Sequence, residues 1–195
     1  MASELTVQTI KAPTSGGNAN KILVTTGQKI VATDGGSLVS PGGILQVKQG
    51  FLSVPSTLSS ASFTNISGLS VDITPYFSTS KFFIIFDLSM TLYGYTGQTR
   101  IMRDSTAIGI AASSNSRTQT TTSQRFDSTD ANHSGAKLVG HFLDSPSTTS
   151  QITYQIQGKT QTSQPSYINR TGNDANNGDW SARQVSTITV MEVAG

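Results

Sequence analysis

No cysteine occurs in the 195 residues, so the chain has no disulfide frame, no thiol nucleophile and no thiolate metal site. Charge is scarce too: Asp, Glu, Lys and Arg make up 12%, with 13 basic against 11 acidic residues and a net charge of +2. The basic residues form no run, which excludes the stripe that follows a phosphate backbone, and no nucleic-acid partner is expected. No window reaches the roughly 18 apolar residues of a membrane span. The opening MASELTVQTIKAPTSGG has no apolar signal-peptide core, so the expectation is a chain made in the cytosol that stays soluble, with no membrane insertion. Hydrophobic residues reach only 35%, below the usual globular share. A chain this poor in core material either lives with a small core or shares one with identical copies around a symmetry axis.

What is present is strand material. The stretch Lys81 to Tyr93, KFFIIFDLSMTLY, places Phe82, Ile84, Phe86, Leu88, Met90 and Leu92 on one face at period two. Phe83, Ile85, Asp87, Ser89, Thr91 and Tyr93 take the other face, which begins apolar and turns polar. That pattern predicts a strand about 40 Å long, covered on both sides where it starts and emerging at a rim. Its β-branched and aromatic content argues against a helix.

Upstream, the short strand SELTVQTI is followed by a Pro, Gly and Asn loop and then by an eight-residue echo: KILVTTGQ, KIVATDGG and a decayed SLVSPGGI. Gly27, Gly35 and Gly43 share its phase. Such units hold two or three apolar side chains each and cannot offset the entropy of ordering alone. They are expected to stack or trimerise into a narrow stalk or docking segment, with Leu5, Val7, Ile22, Val24 and Ile30 as its trimer or docking contacts. Three unrelated hairpin segments would be the plain alternative.

Downstream, ILQVKQ, LSVDIT, KLVGHFL, SQITYQIQ, SYIN and VSTITVMEV read as strands, and RIMRD with TAIGIA as a hairpin. Residues 113–135 are polar and long for a loop, with TQTTTSQRF as an exposed strand inside them. The apolar C-terminal strand reads as a central one paired to the start of the domain, since free ends fray. About eight strands from Leu69 onward, turns every eight to twelve residues and no helical periodicity predict a jelly roll or related sandwich. The domain reading is a docking and stalk segment over 1–50, a connector over 51–65 and a sandwich over 66–195.

LDSPSTTSQITYQIQ, SYINRTGND and STITVMEVAG together resemble the C-terminal head domain of bacteriophage fibre proteins, particularly those of phages of cyanobacteria and other marine bacteria. The opening SELTVQTIKAPTSGG is similar to the first residues of such proteins. The resemblance covers most of 66–195 and, loosely, 1–20. It implies an all-β homotrimeric virion protein, assembled in the host cytoplasm, whose N-terminus docks on other virion proteins of the tail or capsid. A jelly-roll head would point outward to a host-surface glycan or protein. The short repeat region departs from long tail fibres and leaves a short tail fibre, a head fibre, a decoration or a tail adaptor open.

No catalytic constellation stands out, and a non-enzymatic protein without cofactor or resident metal is expected. Asp127 with Asp130, and Asp174 with Asp179, lie in polar loops where nothing raises one carboxyl as a glycosidase requires. His141 and Asp144 could join a serine on paper, but no nucleophile elbow is present; His141 in its strand reads as packed or hydrogen-bonded, and His133 as exposed. NDANNGD misses the phase of a calcium loop because Gly178 takes a ligand position. The candidates for host contact are aromatics beside amides and carboxylates: Tyr93 and Tyr95, Tyr167 beside Asn169, and Trp180 beside Asp179. Core or trimer packing is the competing reading for each.

Overall fold

The computed structural model describes residues 7–17, 19–32, 34–92, 96–125, 135–162 and 165–195. The chain divides into two units, Met1–Ser37 and Leu38–Gly195.

The described residues of the first unit contain neither strand nor helix, so the strand expected over 3–10 is not formed in residues 7–10. What the repeat encodes is turns. The Gln28 N–H donates to the Thr25 carbonyl at 3.0 Å and the Ser37 N–H to that of Asp34 at 3.2 Å. Gly27 (φ 85°) and Gly36 (φ 77°) occupy the third positions, the signature of type II turns, which require positive φ there. In the second unit Gly43 closes the same turn on Ser40 at 2.7 Å, with Gly42 at φ 74° and Pro41 pre-setting the position before it. The glycines bearing the turns are therefore 27, 36 and 42, and the eight-residue phase of the sequence is not kept.

The described part of the second unit is all β: β1 (Ile44–Leu52), β2 (Ser56–Leu58), β3 (Thr64–Ile73), β4 (Lys81–Thr91), β5 (Thr96–Arg103), β6 (Thr106–Ile108), β7 (Thr122–Arg125), β8 (Ala136–Asp144), β9 (Ile152–Thr160), β10 (Ser166–Ile168) and β11 (Ser186–Val193). They build two antiparallel sheets. In sheet A, β4 pairs with β8 on one side and with both β11 and β10 on the other; β1 pairs β11, and β2 pairs β10. In sheet B, β9 lies between β3 and β5, and β6 and β7 share the far edge of β5. With β1 and β2, β6 and β7, and β10 and β11 each taken as one lane, sheet A runs β1/β2, β10/β11, β4, β8 and sheet B runs β3, β9, β5, β6/β7, the double Greek key of a jelly roll. Residues 44–50, read with the stalk, form the edge of this sandwich on β11.

Period-two alternation explains the core. Phe82, Ile84, Phe86, Leu88, Met90 and Leu92 are all buried, facing Leu69, Val71 and Ile73 of β3 and Ile152, Tyr154 and Ile156 of β9. Each such side chain contributes about 1.5–3 kcal/mol by leaving water. Gly140, opposite Phe86 in register, leaves room for that ring; a Cβ there would lie on it. The C-terminal strand β11 is central, between β1 and β4.

The second face of β4 runs opposite to expectation. Phe83 and Ile85 are half-buried, whereas Ser89 and Thr91 are buried. The cause is the chain between β10 and β11, which crosses this end: the Thr91 hydroxyl donates to the Arg170 carbonyl at 2.7 Å, and the Asn169 N–H to that of Ser89 at 3.2 Å.

Candidate functional site

Three of the sequence-derived candidates, Leu5, Tyr93 and Tyr95, lie outside the described residues. Val7, Ile22, Val24 and Ile30 are exposed. The remaining four cluster around the β10–β11 connection, where they play different parts.

Asn169 is fully buried and holds the backbone at φ 59°, a conformation that Asn tolerates better than most residues. Its amide N–H donates to the Leu52 carbonyl at 2.8 Å, and its side-chain oxygen accepts from the Ser186 hydroxyl at 2.6 Å. Ser186 Oγ in turn accepts from the Ser89 N–H at 2.9 Å. This network fastens β10 to β11 where both abut β4, so the reading of Asn169 as a contact residue is corrected: it stands inside the fold.

Tyr167 is half-buried, with the Arg170 guanidinium 3.8 Å above its ring, a cation–π stack. Arg170 also approaches Asp174 at 3.9 Å, and Arg183 pairs closely with the same carboxylate. The neighbouring Asp179 and Trp180 are exposed, and the Asp179 N–H donates to Asn177 Oδ1 at 2.8 Å. Inside this loop lies a hollow of about 280 Å³ lined by Asp174, Asn176, Asn177, Ser181 and Arg183 among others. Sequence reading picked the rim of this site and missed Arg170, Arg183 and Ser181. Arg170 beside the SYIN strand was a usable signal; the meeting of Arg183 with Asp174 was not.

Of the acids considered for hydrolysis, Asp127 and Asp130 lie outside the described residues, and Asp174 and Asp144 are engaged otherwise. Asp174 holds two arginines. Asp144 is buried, accepts from Arg103 Nη1 at 2.9 and 3.0 Å and from the Tyr154 hydroxyl at 2.7 Å, and ties sheet A to sheet B. Burial first, and then the bond to Asp144, push the Tyr154 phenol well above its ordinary range. His141, expected to be packed or hydrogen-bonded, is exposed on the outer face of sheet A with its ring tilted 6.1 Å from that of Phe83. Among the described residues no group of three His, Asp or Glu side chains could hold a metal ion.

The second prominent surface is the outer face of sheet A. Register places Val47, Met191, Phe83 and Leu143 in one row across its four lanes. Residues directly opposite share a face, so Val193 with Lys81 flanks that row on one side and Gln49, Thr189, Ile85 and His141 on the other, beyond which Phe51 and Val139 share a row with Thr187 and Asp87. Val47, Phe51, Val139 and Leu143 are 54, 57, 51 and 49% exposed. The outer face of sheet B is polar in the same positions: Asn65, Gln157 and Arg100 form a row joined at 2.8 and 2.9 Å, and Thr153 donates to Asp72 at 2.6 Å.

No protein-family model matches the chain, and comparison with curated proteins gave no significant match. Among solved structures, it is similar to T=1 particles derived from infectious bursal virus, at 10% identity and a TM-score of 0.39 over 85% of this chain. It is also similar to the VP2 subviral particle of infectious bursal disease virus, at 11% identity and a TM-score of 0.37 over 93% of this chain. The chain spans 40 and 49% of the lengths of those two proteins.

Proposed function

We propose that this chain is a non-enzymatic virion structural protein of the tail-fibre type. It is a homotrimer that docks on its particle by the N-terminal segment and meets a host-surface glycan or protein with the sandwich. The observation that carries the reading is the apolar outer face of sheet A. Val47, Met191, Phe83 and Leu143 make an unbroken apolar row across its four lanes, and the half-exposed Phe51 and Val139 extend it, an exposed apolar grouping of the kind that serves as an interaction site. A second copy covers it in the proposed trimer, row against row, since Asp87 within the face is already held by Lys137 at 2.7 Å and puts no unpaired charge into the contact. The exposed apolar pairs between the type II turns need the same remedy, since they have no core of their own. The resemblance of three C-terminal segments to phage fibre heads points the same way. Host contact in such an assembly gains avidity from repeated weak sites.

Immunogold labelling of intact source particles with an antibody against the sandwich tests the placement. Label at the ends of tail appendages is the expected result, together with slower host adsorption in excess purified protein. Label over the shell would replace host contact with a head-fibre or decoration role, label at the tail attachment site with an adaptor role, and unlabelled particles would overturn the virion reading.

A further inference from the structure

We infer that the hollow in the β10–β11 loop binds a neutral polyhydroxylated ligand, one sugar residue of a surface glycan; this rests on the host-contact reading above. Its volume of about 280 Å³ lies below the ~300–1,000 Å³ of pockets that hold drug-sized molecules, so it suits one ring and not an oligosaccharide. The lining mixes donors and acceptors: the Arg183 guanidinium, the Asn176 and Asn177 amides, the Asp174 carboxylate and the Ser181 hydroxyl. Sugar hydroxyls donate and accept at once, and such a mixture can satisfy both roles.

Charge selects against acidic ligands. Arg170 and Arg183 both approach Asp174, and Asp179 stands in the same loop. Asp174 thus draws on both guanidiniums and sets a negative charge in the lining of the hollow, which disfavours a phosphate, a sulfate or a carboxylated sugar. Ser181 lines the hollow, and its Oγ, buried beneath the surface, makes no hydrogen bond where buried hydroxyls are normally paired, so a turn of this hydroxyl towards a ligand would break no existing bond. At Gly178 a Cβ would meet nothing within 4 Å, so the backbone lies open to close approach. Trp180, 40% exposed, precedes Ser181 in the chain, just outside the lining itself, and its indole has the apolar face and polar tip that pack against the C–H side of a sugar.

Saturation-transfer NMR on the full chain tests the site. The probes are neutral sugars (glucose, galactose, mannose, fucose, rhamnose, N-acetylglucosamine) and charged ones (galacturonic acid, N-acetylneuraminic acid, glucose 6-phosphate). Transfer to at least one neutral sugar is expected, stronger than to any charged one. Affinity should weaken about tenfold in Trp180→Ala and in Ser181→Val, and hold in Phe77→Ala, a change in the β3–β4 loop. Absence of transfer to every neutral sugar, preference for a charged sugar, or unchanged affinity in both loop variants would overturn the site. Light scattering on the same samples separates the readings: a trimer that binds no sugar sinks this site alone, and a monomer that binds sugar sinks the fibre assembly alone.

Discussion

The two sheets of this sandwich carry opposite outer faces on similar inner ones. Inside, both alternate in the same way, Phe82 to Leu92 on one and Ile152 to Ile156 on the other. Outside, sheet B closes its polar rows by side-chain hydrogen bonds and by Arg100 stacked 4.2 Å over Phe63. Sheet A leaves Val47, Phe51, Val139 and Leu143 about half exposed around Phe83 and Met191. A solvated face can satisfy its own polar groups, whereas an apolar one gains from another surface, so in the proposed assembly sheet B faces solvent and sheet A faces a copy.

The largest effect should come from charging the centre of the apolar row. Phe83→Asp is expected to weaken assembly by at least about 100-fold, the loss of a central hot spot worth ~3 kcal/mol. Gln157→Asp on the opposite face should leave the mass unchanged. Sedimentation velocity reads both, and equal behaviour of the two variants would erase the distinction between the faces.

The tie between the sheets comes next. Asp144→Ala leaves Arg103 and the buried Tyr154 hydroxyl without their partner. A loss of about 2 kcal/mol in urea unfolding is expected, below the 3–5 of a fully buried pair because Arg103 stays partly exposed. Asn169→Ala, which removes two buried hydrogen bonds and the residue that tolerates positive φ, should cost a similar ~2 kcal/mol. It should also loosen the loop over the Thr91 end of sheet A, detected as faster amide exchange in residues 169–185. Asn169→Gly restores only the backbone share.

A smaller effect concerns pH. Because the phenol of Tyr154 is raised in the native state, the unfolded chain gives up that proton first, above its ordinary pKa of about 10. The native advantage is full below about pH 10 and declines as pH rises further. Urea midpoints between pH 8 and 11 should therefore fall at the alkaline end, and Tyr154→Phe should flatten that decline while lowering the plateau.

Much of this was legible in the chain because period two is a local signal. The strands β4, β8, β9 and β11, the hairpin at Asp104 and the inward set of Leu69, Val71 and Ile73 follow from alternation and turn residues alone. β3 extends back to Thr64 through Gly68 at φ 87° and a register shift between Asn65 and Ser70, which alternation cannot show. The outer face of β4 misled for a related reason: hydrophobicity does not report that a distant loop lies over Ser89 and Thr91. At the candidate site, the aromatic Trp180 and Tyr167 could be singled out by type. Asn169 and the arginines around Asp174 act through partners far along the chain, and one sequence carries no mark of such pairings.

The assembly claim is tested most directly by the mass of the full chain in solution, measured by multi-angle light scattering at micromolar concentration and repeated after tenfold dilution. Three copies of the 20.6 kDa chain in one stable particle are expected at both concentrations, and a well-folded single chain at both would contradict the account.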